Sequence, residues 1–351
     1  MSEKVLVVGN NVRNVAESAR KAGFEVYATT KFADADLSIY CKETLRLGDE
    51  LAEREIAEIV EAKAEEIGAK IVLCSGFETL NVKGELLCNE PGICEKVADK
   101  LKFYMELEKA GLPFPELLSD DEEGIVKPRK GGGGEEVGIA RNTPEGCIKQ
   151  RFIEGLPCSV SLIAYEGKSI PIACNMMYAG WKEMNAEGFR YSGNLTPLQV
   201  SKDTRQKLEK LAVEAVELFD LTGSVGVDFI LAEKPYILEI NPRFQGSLDS
   251  IEWSCDVNVF RMHAKAFERL LPEKCRPKRV AIRSILFSPS NVTIKESLSG
   301  NPFFADVPNV NDFYQKNDPL VSILASGNSK EEVEQKILKR RDFFLKLQGL
   351  I

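Results

Sequence analysis

With 351 residues, 44% of them apolar and 28% charged, the chain has the composition of a soluble globular protein and enough length for two or three cores. A net charge of −8 argues against a general nucleic-acid binder, whose surface would be basic, and no apolar run approaches the roughly 18 residues of a membrane span. The nine cysteines are scattered, odd in number and without a Cys-x-x-Cys pair, which predicts reduced thiols in a cytoplasm and neither disulfides nor a zinc site.

The opening MSEKVLVVGN enters a strand at once and does not read as a signal peptide. Lys4 to Val8 is a buried-strand run, followed by Gly9, Asn10 and Asn11. A helix ending at Gly23 and a strand from Glu25 to Ala28 complete a βαβ unit and imply a parallel sheet. The absence of G-x-G-x-x-G after the first strand argues against a dinucleotide site. Leu51 to Ile67 reads as a long helix and Lys70 to Cys74 as a strand, with Ser75, Gly76 and Phe77 after it. Residues 1–92 are expected to form an open α/β domain. Gly9, Asn10, Ser75 and Gly76, beyond the carboxyl ends of its strands, are candidate substrate neighbours, with ordinary turn chemistry as the alternative.

Pro91-Gly92 interrupts the chain, and a helix pattern from Cys94 to Ala110 follows, carrying Lys96, Lys100 and Lys102. A short strand from Gly124 to Pro128 leads into Arg129-Lys130 and then Gly131, Gly132, Gly133 and Gly134. Glycine amides approach phosphates closely, so this run is either a phosphate-covering hairpin tip or a linker. The strand pattern that resumes from Val137 to Arg141 favours the hairpin. Lys149 to Gly155 comes next, then strands over Ser159–Tyr165 and Ile170–Asn175. The stretch AGWKEMNAEGFRYSGNLTP is predicted to be a long loop in which Trp181, Tyr191 and Asn194 are candidate substrate contacts, with disorder or contact with a partner as the alternatives. Asp203 to Phe219 is an amphipathic helix. His263, the sole histidine, falls on a helix in DVNVFRMHAKAFERLL and is assigned a packing or surface role.

Val225 to Asp249 is the most informative stretch. Val227, Phe229 and Leu231 alternate, as do Tyr236, Leu238 and Ile240, about a turn at Ala232–Pro235, so a hairpin is predicted. Glu239, Asn241 and Arg243 are two apart and share a face, with Asp228 opposite them. Two carboxylates, an amide oxygen and a guanidinium at a strand end suit a nucleotide's Mg²⁺ and its phosphates. The alternative is a solvated strand end stopped by Pro242. Strands over Val280–Phe287 and Leu320–Ala325 follow. A closing helix from Lys330 carries apolar residues at Val333, Ile337 and Phe344.

In this order the pieces resemble the ATP-grasp superfamily of carboxylate–amine ligases. Lys100 with AGLPFPE is similar to the family's lysine helix and the segment after it. Lys127-Pro128 with the glycine run resembles its second nucleotide lysine and lid loop, and Gln150, Arg151, Phe152 and Ile153 resemble the hinge that cradles adenine. Asp228, Glu239 and Asn241 fall on the metal ligands and Arg243 on the phosphate arginine, so Arg243 and Asn241 are implied catalytic groups. The implied fold is α/β, α+β in part. It has an N-terminal open parallel α/β domain (1–92), a small glycine-loop lid subdomain (93–152) and a C-terminal mixed-sheet catalytic domain (153–351), in an order similar to biotin carboxylase. The implied cofactors are ATP and Mg²⁺ or Mn²⁺. The implied partners are a small-molecule carboxylate and an amine, with no nucleic acid or membrane and with a homodimer left open. The implied activity forms an amide through an acyl phosphate with release of ADP and phosphate, in cofactor or modified amino-acid biosynthesis. A bicarbonate-dependent carboxylase and a non-catalytic nucleotide-binding regulator are the alternatives. Two positions depart from the family pattern: Gln150 stands where Glu is frequent, and the region of Cys158 lacks the acidic residue that many relatives use for the ribose.

Overall fold

The computed structural model describes residues 2–119, 121–134 and 136–351. The chain opens with four parallel strands, β1 (Lys4–Gly9), β2 (Glu25–Thr30), β3 (Glu43–Arg46) and β4 (Lys70–Leu73), in the order β3-β2-β1-β4. Helices α1 (Arg13–Ala22), α2 (Leu37–Tyr40) and α3 (Glu53–Ile67) connect them. α1 ends where Gly23 turns left-handed at φ 102°, a conformation that costs glycine little.

One helix was expected over Cys94–Ala110, and two are found: α4 (Pro91–Ala98) and α5 (Lys100–Lys109). Pro91 does not break the chain but occupies the first turn of α4, where its missing N–H costs nothing. Asp99 separates the two helices because its carboxylate accepts from the amides of Leu101 and Lys102 and caps α5. That cap fixes Lys100 as the first residue of a helix.

Strands β5 (Gly124–Pro128), β6 (Gly138–Ala140) and β7 (Cys147–Gln150) make a small antiparallel sheet with the glycine run at its tip. Then come β8 (Leu156–Tyr165), β9 (Lys168–Ala179), β10 (Tyr191–Thr196), α6 (Lys202–Val216), β11 (Gly223–Leu231) and β12 (Pro235–Asn241). They are followed by α7 (Leu248–Cys255), α8 (Val259–Phe267), β13 (Val280–Phe287), β14 (Val292–Thr293), β15 (Phe304–Ala305), β16 (Phe313–Tyr314), β17 (Pro319–Gly327) and α9 (Lys330–Gln348). Eight of these strands form one sheet, β12-β11-β8-β9-β10-β13-β17-β15, and β14 pairs with β16. Every pairing in the large sheet is antiparallel, so the sheet expected to be mixed in strand direction is not. Part of the stretch expected to be a long loop is strand β10, bridging β9 and β13.

The layers follow from the apolar faces. α3 covers one face of the first sheet through Ile56, Val60 and Ala64. α1, α7 and α8 fill the space between its other face and the large sheet, where Val5, Val15, Ile163, Ile251 and Phe260 meet. α5, α6 and α9 cover the far face of the large sheet. None of the described helices is long and apolar enough to cross a membrane. All nine cysteines are free.

His263 packs as expected, in the middle layer. Its Nδ1 accepts from the Ser224 amide at 2.8 Å and its Nε2 donates to the Leu87 carbonyl at 2.8 Å. Gly223 makes room for it: at φ 84°, a Cβ there would stand 2.3 Å from the imidazole. Burial lowers the His263 pKa from 6.5 to about 4. The unfolded chain therefore binds the proton at a higher pH than the fold does. The stabilising contribution is complete above pH 6.5 and is lost as pH falls toward 4. We predict that wild-type stability falls by about 3 kcal/mol more than that of His263→Gln over this interval. Urea midpoints at matched pH measure it, and equal acid limbs refute it.

Candidate functional site

Asp228 pairs directly with Glu239 across the β11–β12 hairpin. The two carboxylates repel: burial first and Glu239 second push the Asp228 pKa well above the ordinary range. Asn241 Nδ2 donates to Asp228 at 3.1 Å, and Arg243 donates to Asn241 Oδ1 at 3.0 Å. The face predicted from period two is therefore real where it matters. The apolar alternation predicted alongside it holds on β11, where Val227 and Phe229 are buried, and fails on β12. Between Asp228/Glu239 and Phe229/Ile237 the register slips by one residue, so Leu238 is a bulge. Ile237 and Ile240, not Tyr236 and Leu238, are the buried positions.

Two lysines approach this pair. Lys100 Nζ lies 3.6 Å from Glu239 and donates to the Gly131 carbonyl at 2.6 Å. Lys127 is buried on β5 and donates to the Tyr104 hydroxyl at 2.7 Å. Tyr104 in turn donates to the Leu238 carbonyl at 2.5 Å. Burial lowers the Lys127 pKa to about 8, a fall that Glu239 opposes and Lys100 reinforces. Tyr104 and Glu78 are participants that the sequence did not disclose. Glu78, in the loop after β4, accepts from Arg243 Nε at 3.1 Å. Tyr104 sits one turn after Lys100 on α5, a spacing that could have flagged it.

The glycine run is docked. The Tyr191 amide donates to the Gly133 carbonyl at 3.0 Å. Gly134, at φ 75°, passes so close to Phe189 that a Cβ would meet its carbonyl at 2.2 Å, whereas Gly132 has nothing within 4 Å. Gly131 and Gly133 also have positive φ, 107° and 81°.

The proposed hinge separates by role. Gln150 is fully buried and donates to the Pro115 carbonyl at 2.8 Å, while its Oε1 is buried without a hydrogen bond. A buried orphan acceptor calls for an N–H donor, and the exocyclic amine of adenine is one. Arg151 turns its side chain to Glu116 at 2.9 Å. Phe152 is largely exposed beside Phe189, and Ile153 is half-buried. Cys158 faces the core and cannot meet a ribose. Of the residues expected to touch substrate, Trp181 instead stacks on Tyr178 at 4.5 Å and packs on the core behind the large sheet. Asn194 is buried, accepting from Tyr191. Asn10 and Ser75 are tied to each other, the Asn10 amide donating to the Ser75 carbonyl at 2.9 Å, and a Cβ on Gly76 would strike Asn10 at 2.3 Å. A Cβ on Gly9 would strike Val12 at 2.8 Å. These contacts account for both glycines without a ligand.

Among the described residues no cluster of three or more His, Cys, Asp or Glu could hold a metal by itself. Two facing carboxylates and an amide oxygen nevertheless fit Mg²⁺. It takes hard oxygen ligands from one or two carboxylates and completes its shell with phosphate oxygens and water. Their mutual repulsion is what a bound cation would relieve.

Paired carboxylates on the β11–β12 hairpin, Lys127 and a docked glycine loop on the β5–β6 hairpin, and Lys100 at the start of α5 stand together here. Residues 97–247 match the ATP-grasp domain family, whose cofactors are ATP and Mg²⁺. The chain is 28% identical over 360 residues, 93% of this chain and 89% of the other, to an uncharacterized protein of Methanocaldococcus jannaschii. It is 39% identical over 101 residues, 28% of this chain and 31% of the other, to the tyramine–L-glutamate ligase of Methanocaldococcus fervens. The solved L-amino acid ligase of Bacillus licheniformis shares the fold, with a TM-score of 0.70, 18% identity and 97% of each chain covered.

Two outcomes follow for the nucleotide site. Gly134→Ala undocks the loop, raising tryptic cleavage after Lys130 and lowering turnover about tenfold or more, whereas Gly132→Ala stays within about twofold. Equal behaviour of the two variants refutes the docking role. Burial lowers the Lys127 pKa to about 8, so a phosphate-binding role for Lys127 predicts that affinity for Mg-ATP falls as pH rises from there, by at most roughly tenfold per pH unit. Calorimetric titration checks this, and Lys127→Met abolishes the slope.

Proposed function

We propose that the protein is an ATP- and Mg²⁺-dependent ligase that joins a carboxylate to an amine through an acyl phosphate, releasing ADP and phosphate. The observation that carries this reading is the convergence of Asp228, Glu239, Asn241 and Lys100 within hydrogen-bond and ion-pair reach at the mouth of one hairpin, with Lys127 close enough for Glu239 to act on its charge. The resemblance to a tyramine–L-glutamate ligase supports the amine–carboxylate pairing.

Bound Mg²⁺ would supply charge neutralisation at the phosphates, held by Asp228, Glu239 and Asn241. The other work falls to the chain. Lys100 and Lys127 exchange their present partners, the Gly131 carbonyl and the Tyr104 hydroxyl, for phosphate oxygens. Gln150 Oε1 accepts from adenine, and the backbone of Arg151 to Ile153 lines the base. Arg243, steadied by Glu78 and Asn241, faces the phosphoryl group in flight and offsets its charge. A substrate carboxylate oxygen forms a bond to the γ-phosphorus as the bond to the β-bridging oxygen breaks, and that electron pair leaves with ADP. The amine nitrogen then bonds to the acyl carbon, phosphate departs with its bridging oxygen, and the nitrogen releases a proton. The glycine loop over the site keeps water from hydrolysing the acyl phosphate. Residues 1–92, 93–152 and 153–351 act in this scheme as substrate side, lid and catalytic body.

Turnover with hydroxylamine as trap is expected to give ADP with a hydroxamate. AMP with pyrophosphate overturns the reading and the role of Arg243. Glu239→Gln is expected to fold and to lose most turnover. Activity within about threefold of wild type, less than about 1 kcal/mol of barrier, removes the metal assignment.

A further inference from the structure

Lys100 and Lys127 are hidden to the same degree, 6% and 9% exposed, and both stand near Glu239, yet they end differently. Lys100 Nζ comes within 3.6 Å of the Glu239 carboxylate. Lys127 Nζ does not. Among the described residues no carboxylate lies within ion-pair distance of it, and its one hydrogen-bond partner is the Tyr104 hydroxyl at 2.7 Å. An ammonium has three N–H donors and a charge to match, so a single neutral acceptor satisfies it poorly in a buried place. Glu239 is the anion whose charge acts on it.

The phenol cannot follow the lysine about. Tyr104 on α5 has no solvent exposure. Its ring stacks on Phe114, with centroids 5.2 Å apart and planes 14° apart, and Phe103 packs at 5.5 Å. These contacts between carbon atoms fix where the oxygen stands. Its proton is committed as well, to the Leu238 carbonyl at 2.5 Å, which can only accept. Burial first and Glu239 second push the Tyr104 pKa up, so the phenol keeps that proton. Toward Lys127 the oxygen therefore acts as an acceptor. One neutral group thus joins the helix that starts at Lys100, the strand that carries Glu239 and the strand that carries Lys127.

We propose that Tyr104 is a positioning residue that holds the Lys127 ammonium off Glu239, so that the empty site does not close on itself in an ion pair. The proposal rests on the nucleotide site of the ligase reading and deepens it. A Lys127–Glu239 pair would occupy the cation assigned to a phosphate and the carboxylate assigned to a metal ion, and the two would have to part before Mg-ATP entered. A neutral oxygen holds an ammonium less strongly than a carboxylate does, so a phosphate oxygen takes Lys127 from the phenol more easily than from Glu239. The like charge of Lys100 also acts on Lys127, and the test separates that repulsion from the hold of the phenol.

The test compares melting temperatures without nucleotide. Tyr104→Phe keeps the ring and removes the acceptor, which leaves Glu239 as the partner for Lys127. Relative to its effect in wild type, Glu239→Gln is expected to lower the melting temperature of the Tyr104→Phe protein by about 2 °C or more, because it breaks a pair that wild type does not make. A loss of packing alone would lower the melting temperature of Tyr104→Phe without making it depend on Glu239. Equal shifts in the two backgrounds overturn the proposal and assign the separation to Lys100. If Tyr104→Phe does not fold, Lys127→Met decides. With the phenol in place, Glu239→Gln is expected to shift Lys127→Met as it shifts wild type, to within about 1 °C, and a larger difference overturns the proposal. Calorimetric titration with Mg-ATP is the second readout. Tyr104→Phe is expected to bind about fivefold more weakly than wild type, and equal affinity overturns the role. If wild type binds no Mg-ATP, the ligase reading fails by itself, and the melting comparison alone decides whether Tyr104 holds Lys127 off Glu239.

Discussion

Arg13 carries a full positive charge to a position with no solvent exposure, and it is tolerable there because Asp249 meets it with two hydrogen bonds and Asp306 and Glu17 with one each. A buried ion pair of this kind adds little over an apolar contact of the same shape, but half of one is costly, about 3–5 kcal/mol. The arrangement therefore specifies position more than it stabilises. Arg13 belongs to the first sheet's α1 and Asp249 to α7, directly after the loop that leaves β12. Asn89 donates to the Pro242 carbonyl at 3.0 Å, Asn14 to that of Gln245 at 3.4 Å, and Glu78 accepts from Arg243. Four residues from the first 90 thus grip residues 242–249, the segment that aims Arg243.

The proposed phosphate site reverses that balance. Where Arg13 has more partners than it needs, Asp228 and Glu239 have each other. Lys100 is 3.6 Å from Glu239, and Lys127 reaches a phenol instead of a carboxylate. The two lysines and two acids stand close without being fully paired. That leaves their fields available to a phosphate and a cation, the pair that would neutralise both sets.

How much of this was legible depended on range. Spacing along a single strand placed Glu239, Asn241 and Arg243 on one face, and a hairpin placed Asp228 against them. Local chemistry also gave the glycine run between strands and the first βαβ unit. What failed was decided by contacts the spacing does not encode. Asp99 ended one helix and capped the next because its side chain found two amides. Tyr191 to Thr196, rich in small and polar residues, became a strand because β9 and β13 both offered it partners. Trp181 was drawn to Tyr178 and the core. The Arg13 cluster spans 293 positions of sequence between Arg13 and Asp306, and nothing in either neighbourhood announces it.

The bulge at Leu238 carries a consequence for how such a site can change over generations. The extra residue lets Ile237 and Ile240 both face inward. Its carbonyl takes the hydroxyl of Tyr104, which holds Lys127. Side chains along this strand other than Glu239 and Asn241 could be exchanged one at a time at ordinary cost. Gaining or losing a single residue between Pro235 and Asn241 would instead turn Glu239 or the core residues to the wrong face and displace the acceptor for Tyr104, all at once. For the rest of this strand, length is a stricter inheritance than identity, and drift is confined to substitutions.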